Sequence, residues 1–193
     1  MATRANTVHR LKVTLRQVKP PIWRRIEVQS DVKLSGLSDV LEAAMGWYGE
    51  HLHGFEAGGV RYGLPDPDGF GFGRRSVDER KARLGEVLRA VGSKMQWDYD
   101  FGDGWEHDVL VEAIEPQRAD VIYPVCLAGK RACPPEDCGG PWGYGNLLEA
   151  LADPKHPEHD ELAEWTPPDF DPAAFDAGVA TKHMRAARPL KGW

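Results

Sequence analysis

The chain predicts an α+β fold, a mixed and mainly antiparallel sheet with helices packed on one face, and three observations predict it. Apolar and polar residues alternate over Leu11 to Arg16 and again over Met95 to Phe101, the two-residue period of half-buried strands. Leu37, Val40, Leu41, Ala44 and Met45 instead recur at helical spacing, as do Leu84, Val87, Leu88 and Val91. Lys19-Pro20-Pro21 and Gly102-Asp103-Gly104 interrupt the alternating runs with turn chemistry, so neighbouring strands read as hairpins.

Taken in order, Leu11, Val13 and Leu15 share one strand face, and after the proline break Ile26 and Val28 face inward on the returning strand. The first helix follows near residues 38 to 46, with Ser35 and Ser38 as caps and Gly46 as its stop. His51 to Phe55 and Val60 to Tyr62 flank Gly58-Gly59 as two short strands around a tight turn. Leu64 to Arg75 has no periodicity and reads as a surface loop, and a second helix over residues 84 to 92 closes at Gly92. Met95, Trp97, Tyr99 and Phe101 then lead through the glycine turn into a strand from Trp105 to Ile114. Hairpin, helix and strand in that order suggest a β-grasp-like arrangement.

After Pro116 the strand signals stop, and Tyr123 to Tyr144 forms an irregular loop holding all three cysteines. Asn146 caps a short helix carrying Leu147, Leu148 and Leu151, and another carries Leu162 and Trp165 up to Pro167-Pro168. Asp171-Pro172 offers a cap and first-turn proline ahead of Phe175, and the basic remainder to Trp193 reads as loosely ordered.

The chain has 193 residues, 41% of them hydrophobic, and a chain of this size buries roughly 70% of its unfolded surface, so it needs no disulfide or metal merely to fold. With 24 basic and 30 acidic side chains its formal net charge is -6, which disfavours a general DNA binder. No apolar run of membrane-spanning length and no apolar signal core are visible, so the expectation is a cytoplasmic protein without a membrane association. Three cysteines are an odd number for a disulfide framework and leave free thiols or metal ligands.

Cys126, Cys133 and Cys138 are spaced six and then four residues apart, without the paired Cys-x-x-Cys knuckle of common structural zinc sites. Three thiolates still satisfy three corners of a tetrahedral zinc, with His107 or Asp137 as the fourth; reduced packing cysteines and a redox pair are the alternatives. His107 shares a strand face with Trp105, Val109 and Val111, which suits a core histidine as well as a ligand. Asp103 lies between two glycines, where aspartate commonly serves a turn, although a carboxylate beside an imidazole can also orient it for proton transfer. His51 and His53 are expected on the same side of one strand, as two ligands can be, or as a polar strand face. The basic run Arg74 to Arg83 alternates with acids and reads as a solvated surface. No phosphate-binding loop, nucleophile elbow, dinucleotide fingerprint or His-Glu-x-x-His helix is present, and proline breaks His156-Pro-Glu-His159.

Leu11-Lys-Val-Thr-Leu-Arg-Gln-Val-Lys-Pro-Pro-Ile-Trp-Arg-Arg25, Ala44-Met-Gly-Trp47 with His51-Leu-His-Gly-Phe55, Tyr99-Asp-Phe-Gly-Asp-Gly-Trp-Glu-His107, and Tyr123-Pro-Val-Cys126 through Cys133-Pro-Pro-Glu-Asp-Cys-Gly-Gly140 resemble the Ri-plasmid open-reading-frame-three-like family. The resemblance spans about residues 8 to 178 as one domain, leaving 179 to 193 as a basic tail. It implies an α+β fold without an established activity, and a setting on plasmids or as a transposon passenger, where members also carry the label TnpR-like resolvase. A serine recombinase needs a nucleophilic serine among arginines in an N-terminal strand-to-loop motif and a basic recognition helix; Ser30, Ser35, Ser38, Ser76 and Ser93 offer neither context, so the resolvase label is set aside. The leading expectation is a non-enzymatic binding or adaptor module with a protein partner. Its rival is a metal-dependent hydrolase or nuclease using Cys126, Cys133, Cys138 and His107 around zinc, or a cluster of His51, His53, Asp103 and Trp105.

Overall fold

The structure is a computed structural model that describes residues 6–65 and 76–187. Within them the chain forms one eight-stranded sheet in the order β5-β4-β3-β6-β7-β1-β2-β8. The strands are β1 (Thr7–Leu15), β2 (Trp23–Gln29), β3 (His53–Ala57), β4 (Val60–Gly63), β5 (Val77–Asp78), β6 (Lys94–Tyr99), β7 (Trp105–Pro116) and β8 (Val125–Lys130). The helices are α1 (Leu34–Met45), α2 (Leu84–Val87), α3 (Gly140–Ala152), α4 (His159–Trp165) and α5 (Ala177–Ala186). Every ladder is antiparallel except the short parallel pairing of β4 with β5. The expected hairpin, helix and strand order is present, within a mixed α+β arrangement of one mainly antiparallel eight-stranded sheet and five helices.

Alternation dictates the two faces of this sheet. Leu11, Val13 and Leu15 of β1, Ile26 and Val28 of β2, Met95, Trp97 and Tyr99 of β6, and Trp105, His107, Val109 and Val111 of β7 are all buried together with Leu34, Leu37 and Leu41 of α1. Trp97, Trp105 and Tyr99 lie fully inside this layer, and each buried side chain of that size stabilises the fold by roughly 1.5–3 kcal/mol. The opposite face carries charge pairs, Arg25 with Glu112 at 2.5 Å and Arg10 and Arg118 on Glu27 at 2.8 Å.

Several local expectations are corrected. Ser35 and Ser38 do not cap α1, which starts at Leu34; Ser38 lies inside the helix, donating to Glu42 at 2.8 Å and accepting from the Trp97 indole at 3.1 Å. The second helix is a single turn: the Gly92 amide donates to the Val111 carbonyl and His9 takes the Leu88 carbonyl, so tertiary bonds engage the pair that a continued helix would join. The cysteine loop is not irregular throughout: Val125–Lys130 adds β8 to the free edge of β2, with a register shift between Arg25 and Ile26.

Toward the C-terminus, α3 begins at Gly140 rather than at Asn146, whose amide instead donates to Glu158. Residues 177–187 are not loosely ordered: α5 is capped by Asp176, packs against α1 and β8, and buries Ala180 and Met184, while the rest of the basic tail lies outside the described residues. Gly46 and Gly58-Gly59 adopt the positive φ expected at a helix stop and a tight hairpin. Most of the loop expected over Leu64 to Arg75 lies outside the described residues. Among the described residues, no helix is long and apolar enough to cross a membrane.

Candidate functional site

Three connecting segments meet where β3 starts and β6 ends: residues 46–52 after α1, the turn 100–104 between β6 and β7, and residues 131–139 between β8 and α3. They are tied in pairs. The Trp47 indole donates to the Pro134 carbonyl at 3.0 Å, the Tyr99 hydroxyl to Glu136 at 2.9 Å, and the Gly139 amide to the Asp103 carboxylate at 3.2 Å. Trp47 also stacks on Tyr99 with ring centroids 4.7 Å apart, so one aromatic pair supports two of the three segments.

This convergence places His51 among carboxylates. Its Nδ1 lies 3.6 Å from Asp100, and its Nε2 lies 3.7 Å from Glu136 and 3.5 Å from Asp137. These contacts are longer than ordinary hydrogen bonds. Asp100 and Asp137 both sit at positive φ, 53° and 57°, a conformation that aspartate tolerates better than most residues. Asp100 uses Oδ1 on the amides of Gly102 and Asp103, which leaves Oδ2 toward His51. Glu136 uses Oε1 on Tyr99 and on the Tyr48 amide, while its buried Oε2 has no hydrogen-bond partner among the described residues. Among the described residues, His51, Asp100 and Asp137 offer ligand atoms within 4.8 Å of one another, a spacing compatible with one cation.

His53 belongs to a separate, deeper network. Its Nε2 lies 3.0 Å from Glu79, which is wholly buried, and its Nδ1 lies 3.5 Å from Glu42. Burial pulls the imidazole pKa down, but the Glu79 hydrogen bond and the charges of Glu79, Glu42 and Asp39 outweigh it, and the net shift is upward. Desolvation pushes the Asp39 and Glu42 carboxyls up in turn.

Beside the His51 group opens a cleft of about 570 Å³ between the end of α1, the 132–137 segment, and the chain from Trp165 to His183. Trp47, Tyr48, Trp165, Phe170 and Phe175 supply aromatic walls, and Glu50, Glu136, Asp137 and Asp176 supply carboxylates. Arg24 lies in its depth, only 2% exposed and stacked 4.1 Å over Phe175. Its guanidinium donates to the carbonyls of Ala44, Trp23, Lys130 and Met45, so it closes the C-terminal end of α1 without a carboxylate partner.

The structure therefore divides the residues singled out in the sequence. His51 and Asp137 fall in one cluster, while His51 and His53 face different carboxylates and share no ligand set. Asp103 ties its turn to Gly139. Trp105 is fully buried 5.9 Å from Trp47. His107 is a core residue between Trp47 and Trp97, its Nδ1 3.2 Å from the Trp97 carbonyl, and burial pulls its pKa down to about 3. Cys126, Cys133, Cys138 and His107 are not brought together as ligands. Cys126 is buried on β8, and burial pushes all three thiols up, Cys138 to about 12, so they stand as neutral thiols. Asp100, Glu136, Glu42 and Glu79 were not foreseen; the only signal was that Asp100 and Glu136 lie inside the recognisable Asp-Phe-Gly-Asp-Gly and Pro-Pro-Glu-Asp-Cys-Gly-Gly stretches.

Comparison with known proteins places this geometry among relatives. The family model described as plasmid pRiA4b ORF-3-like protein matches residues 7–179. The chain is 44% identical over 178 residues to the uncharacterized protein y4hQ of Sinorhizobium fredii (strain NBRC 101917 / NGR234), covering 91% of this chain and 90% of that protein. It is similar to the crystal structure of MM3350, a protein of unknown function from Methanosarcina mazei Go1, with a TM-score of 0.81 and 37% identity over 90% of this chain and 97% of the other.

Proposed function

The chain belongs to the plasmid pRiA4b ORF-3-like family, and from that premise we propose that it is a non-enzymatic binding or adaptor module, associated with plasmids and transposons and acting in the cytoplasm on a protein partner. One observation carries the reading: the aromatic cleft beside His51 has the size of a ligand site and keeps Tyr48 83% and Trp165 46% exposed at its mouth. Large rings left in water beside carboxylates are what a recognition surface needs, an apolar body with a polar rim. Neither ring is part of the core around Trp97 and Trp105.

The reading is tested by placing a photo-crosslinking phenylalanine analogue at Tyr48 or Trp165, and for comparison at Val60, in cells of the native host. A discrete adduct from the two cleft positions and none from Val60 is the expected result. No adduct from either cleft position, or the same adducts from all three, would overturn it.

The grouping of His51, Asp100 and Asp137 favours a second reading, a metal-dependent hydrolase or nuclease. One imidazole and two carboxylates suit a divalent cation that activates water, with Glu136 as a base at its side. Elemental analysis of protein purified without added metal tests it. Near one equivalent of metal, lost in the D100N/D137N variant, supports this reading; less than a tenth of an equivalent, or an unchanged content in the variant, sinks it.

A further inference from the structure

We infer that the occupant of the cleft is a basic segment of a protein partner, an arginine or lysine flanked by apolar residues; the inference rests on the binding-module reading above. The charge lining the cleft is one-sided. Glu50 and Asp137 bring open carboxylates to it, while Glu136 is engaged by Tyr99 and the Tyr48 amide and Asp176 caps α5. Against them stands Arg24, whose donors are already engaged by four backbone carbonyls and whose face is stacked on Phe175. His183, on α5, is the other cationic candidate among the described lining residues.

That arrangement discriminates between ligand classes. An acidic segment would meet carboxylates with no open guanidinium to answer it, and like charges brought together at an interface oppose docking. An uncharged apolar segment would cover the walls but strip water from the open carboxylates of Glu50 and Asp137 without replacing it. A guanidinium or ammonium answers both requirements: it supplies donors for the carboxylates and attraction to ring faces, while its apolar neighbours cover Tyr48 and Trp165. The fold also holds the walls in place, since Trp47 is bonded to Pro134 and Glu136 to Tyr99. Little ordering cost therefore falls on the protein when it binds.

The experiment measures fluorescence anisotropy of the full chain against a set of labelled hexapeptides. In each, one arginine or lysine is flanked by a different pair of apolar residues; a matched set carries glutamate at the same place. Saturable binding confined to cationic members, weakened about fivefold or more in E50Q/D137N and by 0.5 M salt, is expected. The Y48A/W165A variant should weaken it as well, with urea unfolding unchanged enough to show a folded chain. Binding of the glutamate set as well as the cationic set would overturn the basic-segment inference and leave the binding module standing. No binding by either set, with no adduct from the crosslinking positions, would overturn both. Binding that appears only after Arg188 and Lys191 are changed to glutamine, or only in a dimeric fraction, would assign the cleft to this chain's own residues or to a second copy, and would also overturn the inference.

Discussion

The Tyr99 hydroxyl donates to Glu136 Oε1 at 2.9 Å, joining the end of a core strand to the segment that carries half of the cleft's acidic residues. Burial, reinforced by the Glu136 carboxylate, pushes this hydroxyl's pKa upward, so it remains a donor throughout the physiological range. Phenylalanine at position 99 keeps the ring that stacks on Trp47 and removes only the donor. Y99F should lose about 1.5–3 kcal/mol, the usual contribution of a hydrogen bond to a charged group, read as a lower urea midpoint at constant slope. An unchanged midpoint would mean that Glu136 is held by the Tyr48 amide alone.

A larger loss is expected deeper in the same end of the sheet. Glu79 is wholly buried and holds His53 at 3.0 Å, with Glu42 on the other side of the ring. Alanine at 79 removes one partner of a buried pair and should cost about 3–5 kcal/mol. The double variant H53A/E79A should cost less than the sum of the two single changes, because the second removal no longer strands a charge. Additive losses in urea unfolding would show that the two side chains are not coupled.

The residues that pack were legible in the sequence, and the reason is periodicity. Leu11, Val13 and Leu15, or Met95, Trp97 and Tyr99, reveal their face by alternation alone, since a buried strand face needs an apolar side chain at every second position. β8 was not legible, because Val125–Lys130 is half-exposed and takes its strand geometry from the open edge of β2 rather than from its own pattern. The His51 cluster was legible in part: its histidine stood out, but Asp100 and Glu136 come from segments distant in sequence. Nothing local announces such a meeting; it depends on the Trp47, Tyr99 and Asp103 tethers, which are properties of the closed fold.

Gly140 tests the closeness of that meeting. It has φ +69°, and a Cβ there would run into the backbone carbonyl of Asp103, a neighbour that cannot swing aside as a side-chain tip can. G140A should therefore destabilise the protein by about 1–3 kcal/mol through backbone strain, and by more if the turn 100–104 is forced away from residue 139. Gly145 is the control: it lies in the same helix, α3, and a Cβ there meets nothing within 4 Å. G145A should be neutral or stabilising by up to about 1 kcal/mol, the helix propensity difference. Equal thermal midpoints for the two variants would contradict the close approach.

His107 makes stability depend on pH in a direction that its burial dictates. The folded chain holds this imidazole neutral between Trp47 and Trp97, near Arg24, with a pKa lowered from the ordinary 6.5 to about 3. The unfolded chain takes up a proton near pH 6.5, whereas the folded chain does not, so acid favours unfolding. Stability from this group is complete above pH 6.5 and falls as pH drops toward 3, by up to about 1.4 kcal/mol per pH unit. H107F keeps a flat ring in the layer and removes the titration, at the cost of the contact to the Trp97 carbonyl. Compared with the unsubstituted chain, H107F should be about 2 kcal/mol better placed at pH 5 than at pH 8. His9, also lowered by burial, titrates in both proteins and cancels in that difference. Urea unfolding of the two chains from pH 8 to pH 5 measures it, and parallel curves would mean that His107 can be protonated without leaving the fold.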